Sequence, residues 1–315
     1  MNRIAILIPC FNEEKTIARV VRDFRSELPD ADVYVYDNNS SDNTVKEAAA
    51  AGAIVRNESR QGKGNVIRSM FRQIDADIYV MVDGDGTYPA DMVHEIIKPV
   101  VSGKADMVCG SRLHTQSASD FKRLNLAGNR LFNFLLNSLF RVRITDILSG
   151  YRAFTREVVK SLPVLSRGFE IETELTLKAI ERNYRIVEIP VSLSERPEGS
   201  SSKINIVRDG ILIFNTIFAL LRDYKPFTAF GGFGLFLMVL GLIPGVFVIY
   251  EFAATGTILH IPSAILAVGL ILSGILLLFT GLTLHSIARR FQELDRRLQG
   301  MFDVLMRISD HDNQP

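Results

Sequence analysis

Two stretches of this 315-residue chain contain no charged residue: Phe227 to Tyr250 and Ile261 to Leu284. Each is long enough to cross ~30 Å of hydrocarbon as a helix. The alternative is a pair of buried core helices, but charge-free runs of this length are rare in soluble cores. Gly231, Gly232, Gly241, Pro244 and Gly245 fall within the first run, and such residues are tolerated more readily in membrane helices than in soluble ones. The preceding residues, 1–225, carry ordinary mixed polarity. The chain therefore reads as a polar domain followed by a two-helix membrane hairpin.

Basic residues orient the hairpin. Arg222 and Lys225 precede the first span, and Arg289, Arg290, Arg296 and Arg297 follow the second. The connecting loop, Glu251 to His260, has no Lys or Arg. The positive-inside rule then places both termini in the cytoplasm and the loop outside, as expected of a multi-pass protein of the inner (plasma) membrane. Cys10 and Cys109 are the two cysteines, read as buried free thiols in a reducing compartment. The apolar run Ile4-Ala5-Ile6-Leu7-Ile8 near the N-terminus is too short for a signal peptide and reads as a first strand. The net charge of +1 offers no global field for nucleic acid.

Strand and helix signals alternate along the first 110 residues. Strands are predicted at Ile4–Ile8, Val33–Tyr36, Ile54–Arg56, Ile78–Val82 and Met107–Gly110. Helices are predicted at Glu13–Leu28, with Asn12 as N-cap, and at Asp42–Ala51, Lys63–Ile74 and Asp91–Val101. Such alternation implies an α/β fold with a mostly parallel sheet and helices on both faces. Phe121–Val142 reads as an unusually apolar helix, either core or a wall beside a lipid. Asn205–Lys225 is amphipathic and suits a helix lying in the membrane interface. Past the second span, Phe291, Leu294, Leu298, Met301, Leu305 and Ile308 form a short heptad seam. That seam admits a homo-oligomer, or packing on the chain's own polar domain.

The chemistry concentrates at strand ends, where open α/β sheets bind ligands. Asp83-Gly84-Asp85 follows the strand at Ile78–Val82. Carboxylates one residue apart on a bend can share a hard divalent cation, and Mg²⁺ in such sites usually takes one or two carboxylates plus substrate phosphates. The ligand this points to is a metal-bound diphosphate. Asp37-Asn38-Asn39-Ser40-Ser41-Asp42-Asn43-Thr44 follows the second strand. It is either a capped turn or a base and ribose pocket in which Asp37 accepts from a nucleobase. Gly62-Lys63-Gly64 opens a helix, where free N–H groups, the helix dipole and Lys63 favour an anion. Neither a Walker loop nor a Gly-x-Gly-x-x-Gly fingerprint is present. Arg196 to Lys203 is a flexible linker or a lid whose Arg196 and Lys203 close over a diphosphate. Asp146 to Arg152 is a polar segment between apolar ones. Glu170, Glu172 and Glu174 would share one face of a strand, but not of a helix, where they would favour its N-terminus.

In order along the chain, Ile8–Glu14, Asp37–Thr44, Gly62–Gly64, Asp83–Asp85, Gly110–Arg112, Asp146–Arg152 and Arg196–Lys203 together resemble the inverting family 2 glycosyltransferases. The likeness is to the dolichol-phosphate mannose synthase and bacterial polyprenyl-phosphate glycosyltransferase type. The resemblance implies a GT-A nucleotide-sugar-binding domain over residues 1–203, an interface helix at 204–226, a transmembrane hairpin at 227–287 and a cytoplasmic helix and tail at 288–315. It implies that Pro9, Asn12, Glu14, Asp37 and Asn39 line the nucleotide pocket, with Lys63, Gly84, Arg196 and Lys203 also on the nucleotide-sugar. It implies that Asp83 and Asp85 hold Mg²⁺ or Mn²⁺, that Arg112 sits near an acceptor phosphate, and that Asp146 and Arg152 face the reaction centre. Thr87 stands where many relatives carry Gln, which weakens one metal contact. The expected activity is inverting transfer of one sugar from a UDP-hexose, UDP-N-acetylhexosamine or GDP-mannose to undecaprenyl or dolichyl phosphate. The expected partners are these two substrates and the bilayer. The alternatives are a glycosyltransferase with a non-lipid acceptor, or a non-catalytic scaffold or translocator on the same fold.

Overall fold

The computed structural model describes residues 2–112, 144–164, 171–193 and 225–312, with isolated positions at 134, 137, 138 and 222. The chain divides into two units, residues 1–204 and 205–315. The predicted helices at Phe121–Val142 and Asn205–Lys225, and the loop from Arg196 to Lys203, lie outside the described residues apart from those isolated positions and Lys225.

The first unit is built on a sheet with strand order β3-β2-β1-β4-β6-β5-β7. The strands are β1 (Ile4–Cys10), β2 (Asp32–Asp37), β3 (Ile54–Asn57), β4 (Ile78–Met81), β5 (Met107–Ser111), β6 (Arg152–Thr155) and β7 (Ile186–Pro190). The helices are α1 (Ile17–Glu27), α2 (Thr44–Ala50), α3 (Lys63–Gln73), α4 (Val93–Val101), α5 (Arg156–Ser161) and α6 (Ile171–Glu181). Every neighbouring pair is parallel except those made by β6, which runs antiparallel to β4 and β5. The period of two along β1 divides the core. Ile6, Ile8 and Cys10 pack with Val20, Val21 and Phe24 of α1 and Ile96 of α4. Ala5 and Leu7 pack on the other face with Ile67, Met70 and Phe71 of α3.

Two topological facts place the site. The chain moves from β1 outward to β2 and β3, then returns to the other side of β1 as β4. The carboxyl ends of β1 and β4 therefore flank a switch point, where such sheets open a crevice. Because β6 is antiparallel, it starts where its neighbours end: Arg152 pairs with Met81 of β4 and Cys109 of β5. The residues just before it, Asp146–Tyr151, are thereby delivered to the same edge as Asp83.

The second unit contains a π-helical turn, Phe227–Gly231, continuing into α7 (Gly232–Thr255), and α8 (Ile261–Asp312). Two segments, Phe227–Thr255 and Ile261–Phe291, are long and apolar enough to cross a membrane. Most of their apolar side chains face outward, including Ile249 and Ile265. The two helices pack through small residues. A Cβ on Gly234 would lie 2.6 Å from the Gly274 carbonyl oxygen, and one on Gly274 would meet that of Gly234 equally closely. Gly241 lies nearly as close on Leu270 and Ala267, at 2.9 and 3.0 Å, and Gly281 on Gly231 at 3.1 Å. Backbones at this separation exclude side chains, which is how apolar helices associate where the hydrophobic effect supplies no drive. Along α8 the seam of the predicted heptad is exposed at Phe291, Leu294, Leu298 and Met301.

Candidate active site

The nucleotide side of the crevice is formed by the turns after β1, β2 and β3, tied together by short polar side chains. Asn12 adopts a left-handed backbone, φ 57°, which Asn tolerates better than most residues. It does not cap α1, which starts only at Ile17. Its side-chain Oδ1 instead accepts from the Ser41 N–H at 2.8 Å, while its backbone N–H donates to Ser40 Oγ at 2.8 Å. Glu14 accepts from the Asn43 N–H at 3.0 Å, and the Glu14 N–H donates to Asp42 at 3.1 Å. Asp42 also accepts from the Thr44 N–H at 3.0 Å, so the helix that was expected to begin at Asp42 begins at Thr44. Pro9, in β1, pairs in register with Tyr36, and Cys10 pairs with Asp37. Asp37 is 5% exposed and accepts from the Ser40 N–H at 3.1 Å. Asn38 reaches across to β3, donating to the Glu58 and Arg60 carbonyls and accepting from the Gly62 N–H at 2.7 Å. Asn39, at φ 64°, donates to the Ser59 carbonyl at 2.9 Å. The loop is thus built by its Asn, Ser and Asp side chains, the capped-turn reading of the sequence, and its shape is set before any ligand arrives.

Asp83-Gly84-Asp85 turns away from β4 under restraint from α1. Thr16 Oγ1 donates to the Gly84 carbonyl at 2.7 Å, and Arg19 to the Gly86 carbonyl at 3.1 Å. Gly84 is obligatory, since a Cβ there would lie 2.7 Å from Cys10 Sγ. Burial pushes the Cys10 thiol well above its usual pKa, and the carboxylates of Glu13, Asp37, Asp83 and Asp42 add to that, so it is not a nucleophile at neutral pH. Asp85 accepts from the Thr87 hydroxyl at 2.6 Å and the Thr87 N–H at 3.1 Å. Thr87 therefore supports Asp85 through a hydrogen bond.

Lys63, at the first turn of α3, places its ammonium 2.6 Å from Asp83 Oδ1 and 2.5 Å from Glu172 Oε1. Burial works against its charge, but the two carboxylates outweigh burial and hold its pKa above that of an ordinary lysine. Gly150 approaches from the opposite side, and a Cβ on it would collide with all three atoms of the Asp83 carboxyl group. The N–H of Gly150 donates to the Tyr88 hydroxyl at 3.0 Å. Asp83 is 29% exposed at its side chain. Two carboxylates on one bend, with the Cys10 thiol beneath Gly84 buried and held well above its ordinary pKa, form a hard-oxygen donor set that fits Mg²⁺ or Mn²⁺ completed by substrate phosphates. Among the described residues no three His, Cys, Asp or Glu side chains gather as a closed metal site.

The far side of the crevice carries a buried carboxylate and its arginine. Asp146, fully buried, accepts from Arg112 three times: from the backbone N–H at 3.0 Å, from Nε at 2.7 Å and from Nη2 at 2.9 Å. Glu188 of β7 accepts from the N–H groups of Thr145 and Asp146 and so fixes the Asp146 backbone. Burial lowers the pKa of Arg112, but its bonds with Asp146 more than reverse this and raise it overall. Arg152, expected from the sequence to face the reacting atoms, is 0% exposed. Its guanidinium donates to the Ser149 and Ile147 carbonyls at 2.8 and 2.5 Å and to Thr176 Oγ1 at 2.8 Å. It is the internal strut of the 146–150 loop.

Asp83, Lys63 and the 146–152 segment are therefore brought to one edge of the sheet. Arg196 and Lys203 lie outside the described residues. Glu172 has no role legible in the sequence, because the extended and helical alternatives for 168–174 aim it differently. It lies in the first turn of α6, and helicity turns it toward Lys63. Tyr88 and Glu188 carry no motif signal in the sequence.

The profile of the family described as "Glycosyl transferase family 2" matches residues 5–162 of this chain. Glycosyltransferase AglJ of Haloferax volcanii is 35% identical over 297 residues, covering 94% of this chain and 97% of that protein. The dolichyl-phosphate hexose transferase of the same organism is 29% identical over 193 residues, covering 61% of this chain and 83% of its own length. Among solved structures, the glucosyl-3-phosphoglycerate synthase of Mycobacterium tuberculosis, in complex with Mn²⁺, UDP and glucosyl-3-phosphoglycerate, superposes with a TM-score of 0.57 at 23% identity. It covers 70% of this chain and 79% of that one. At that identity the likeness speaks for the fold.

Proposed function

This chain is a glycosyltransferase of family 2, and on that premise we propose that it transfers one sugar from a nucleoside diphosphate sugar to a polyprenyl phosphate at the cytoplasmic face of a membrane. The observation that carries the proposal is the delivery of the 146–152 segment, whose Asp146 holds Arg112 and whose Gly150 lies against the Asp83 carboxyl group, to the carboxyl end of β4, in a chain that continues into two apolar helices. Relatives named for dolichyl phosphate and undecaprenyl phosphate transfer support the choice of acceptor. The Mn²⁺ and UDP in the glucosyl-3-phosphoglycerate synthase complex support the choice of donor class and metal.

In this reading the turns built by Pro9, Asn12, Glu14, Asp37 and Asn39 receive the nucleoside. Asp83 and Asp85 would hold Mg²⁺ or Mn²⁺, which when bound supplies charge neutralisation on the departing diphosphate. Lys63, joined by Arg196 and Lys203, contributes positive charge where the diphosphate leaves. Arg112, held by Asp146, supplies the positive charge that receives the acceptor phosphate. Asp146 positions Arg112. It is not needed as a base, because a phosphate monoester with a second pKa of ~6 is already an anionic nucleophile at neutral pH. One acceptor oxygen attacks the sugar C1 from the face opposite the diphosphate. The C1–O bond breaks with its electron pair staying on the nucleoside diphosphate, and the configuration inverts. Both termini lie in the cytoplasm, where Arg289 and Arg290 sit beside anionic headgroups.

Nucleotide release tests this reading. Detergent-purified protein is given UDP- and GDP-sugars singly with Mn²⁺, with and without undecaprenyl phosphate. Release from one donor that depends on the lipid phosphate is the expected result. Release unaffected by the lipid would remove the polyprenyl acceptor.

A further inference from the structure

The Lys63 ammonium is shared between two carboxylates of unequal burial. Its side chain is 12% exposed, that of Glu172 5% and that of Asp83 29%. Glu172 belongs to a fixed part of the core. It lies between Ile171 and Leu175, both buried, and its carbonyl accepts from Thr176 Oγ1 at 2.9 Å. A buried carboxylate stripped of its cation is costly, whereas a partly hydrated one can exchange partners. Of the two bonds, the one to Asp83 is therefore the one Lys63 can give up. The Asp83 carboxylate also belongs to the proposed divalent site, and an ammonium 2.6 Å from its Oδ1 competes with and repels a doubly charged ion on the same group.

We propose that Lys63 holds the place of the divalent ion on Asp83 in the protein without donor, and that Glu172 is the positioning residue that keeps Lys63 paired when it yields that oxygen. The proposal rests on the metal-dependent reading above. Its consequence is coupling. The nucleotide-free protein binds the ion weakly, and donor phosphates, by giving Lys63 a new anion beside Glu172, make the exchange favourable. The device would keep the site from loading with metal alone.

Mn²⁺ binding to the full-length protein in detergent, followed by the electron paramagnetic resonance of free Mn²⁺ without nucleotide, tests this apart from turnover. Lys63→Met is expected to bind Mn²⁺ at least roughly tenfold more tightly than wild type. Glu172→Gln, which leaves Lys63 with Asp83 as its remaining carboxylate, is expected to bind it several-fold more weakly. The double variant K63M/E172Q decides the mechanism, because its net charge equals that of wild type and it leaves no unpaired buried ion. If Glu172 acts through Lys63, the double variant binds as tightly as Lys63→Met. If the single variants merely change the local field, it returns to the wild-type affinity and the proposal is overturned. Unchanged or weaker binding in Lys63→Met overturns it too. Wild-type binding strengthened by UDP and abolished by Asp85→Ala shows that the metal reading itself stands. Failure of every form to bind, with UDP present, removes that reading and this proposal with it.

Discussion

In the proposed mechanism Asp146 is a carboxylate that matters to the reaction without touching it. All three of its described acceptor contacts come from Arg112, and none of its surface is open to solvent. Asp146→Asn keeps the shape but weakens the charge-assisted fork, so kcat/KM for the lipid phosphate is expected to fall at least about tenfold, mostly through KM. Steady-state kinetics in acceptor concentration check this, and near-normal values would free Asp146 of any role. Gly150 is a sharper probe of the donor side, because the added methyl of Gly150→Ala would overlap the Asp83 carboxyl group. Displacement of that group by about 1 Å is expected to cost on the order of a hundredfold in turnover, with little change in melting temperature. The opposite pattern is expected for Arg152. Arg152→Met leaves two buried carbonyls and a threonine hydroxyl without their donor, a loss of about 3 kcal/mol seen first in thermal unfolding. A third kind of residue acts through pH. Glu58, held by Arg60 and then by Ser69, has its pKa lowered from 4.5 to about 2. Its folded pKa is depressed, so its contribution is complete above pH 4.5 and disappears as pH falls toward 2. Glu58→Gln should flatten the acid limb of the stability profile within that window, and an identical limb would show that the pair is not coupled to folding.

At the scale of elements, the sequence was most legible where one face of a strand or helix had to be buried. The first five strands, and the helices through α4, lie where alternation and period placed them, with ends moved by a few residues. The shifts have local causes. Asn12 reads as the cap of α1, but it spends its side chain on the neighbouring turn and α1 starts at Ile17; Asp42 reads as the first residue of α2, but its carboxylate accepts from the Thr44 N–H and α2 starts there. β6 was hidden because Arg152-Ala153-Phe154-Thr155 opens with a charge, and only the tertiary acceptors of Arg152 make its burial tolerable. Those acceptors come from Ile147 and Ser149 nearby but also from Thr176 on α6, a partner no local pattern announces. The same applies to the site. Asp83 and Asp85 could be read from their position after a strand, whereas Glu172 needed the packing of α6 against α3 to acquire a meaning. In the second unit, Gly231 and Gly241 read from the sequence as membrane-tolerated residues, and the structure makes them contacts together with Gly234, Gly274 and Gly281, which no sequence pattern marks. Gly274→Leu would drive a side chain into the Gly234 carbonyl. It is expected to destabilise the helix pair by about 1–3 kcal/mol, read as an earlier melt in detergent.

For the whole molecule, the two units assign different tasks to different stretches of one chain. The α/β unit offers polar turns and a hard-oxygen site, and the second unit offers two helices whose outward surfaces are apolar over most of their length. A lipid-linked acceptor requires both, since its phosphate must meet the crevice while its hydrocarbon stays in the bilayer. The basic flanks predict the sidedness. Thr257, exposed in the loop between the helices, is a clean reporter because Cys10 and Cys109 are both buried. Thr257→Cys in intact cells should react with a membrane-impermeant maleimide, and protection until the cells are opened would reverse the orientation. The most direct measurement follows a radiolabelled sugar from its nucleotide into a lipid extract. Purified protein is incubated with the donor, undecaprenyl phosphate and Mn²⁺, and the organic phase is chromatographed. A single labelled polyprenyl phosphate sugar, lost with EDTA and in Asp85→Ala, is the expected result. Label that stays in the aqueous phase with every donor, from protein that still binds UDP and Mn²⁺, would contradict transfer to a polyprenyl phosphate.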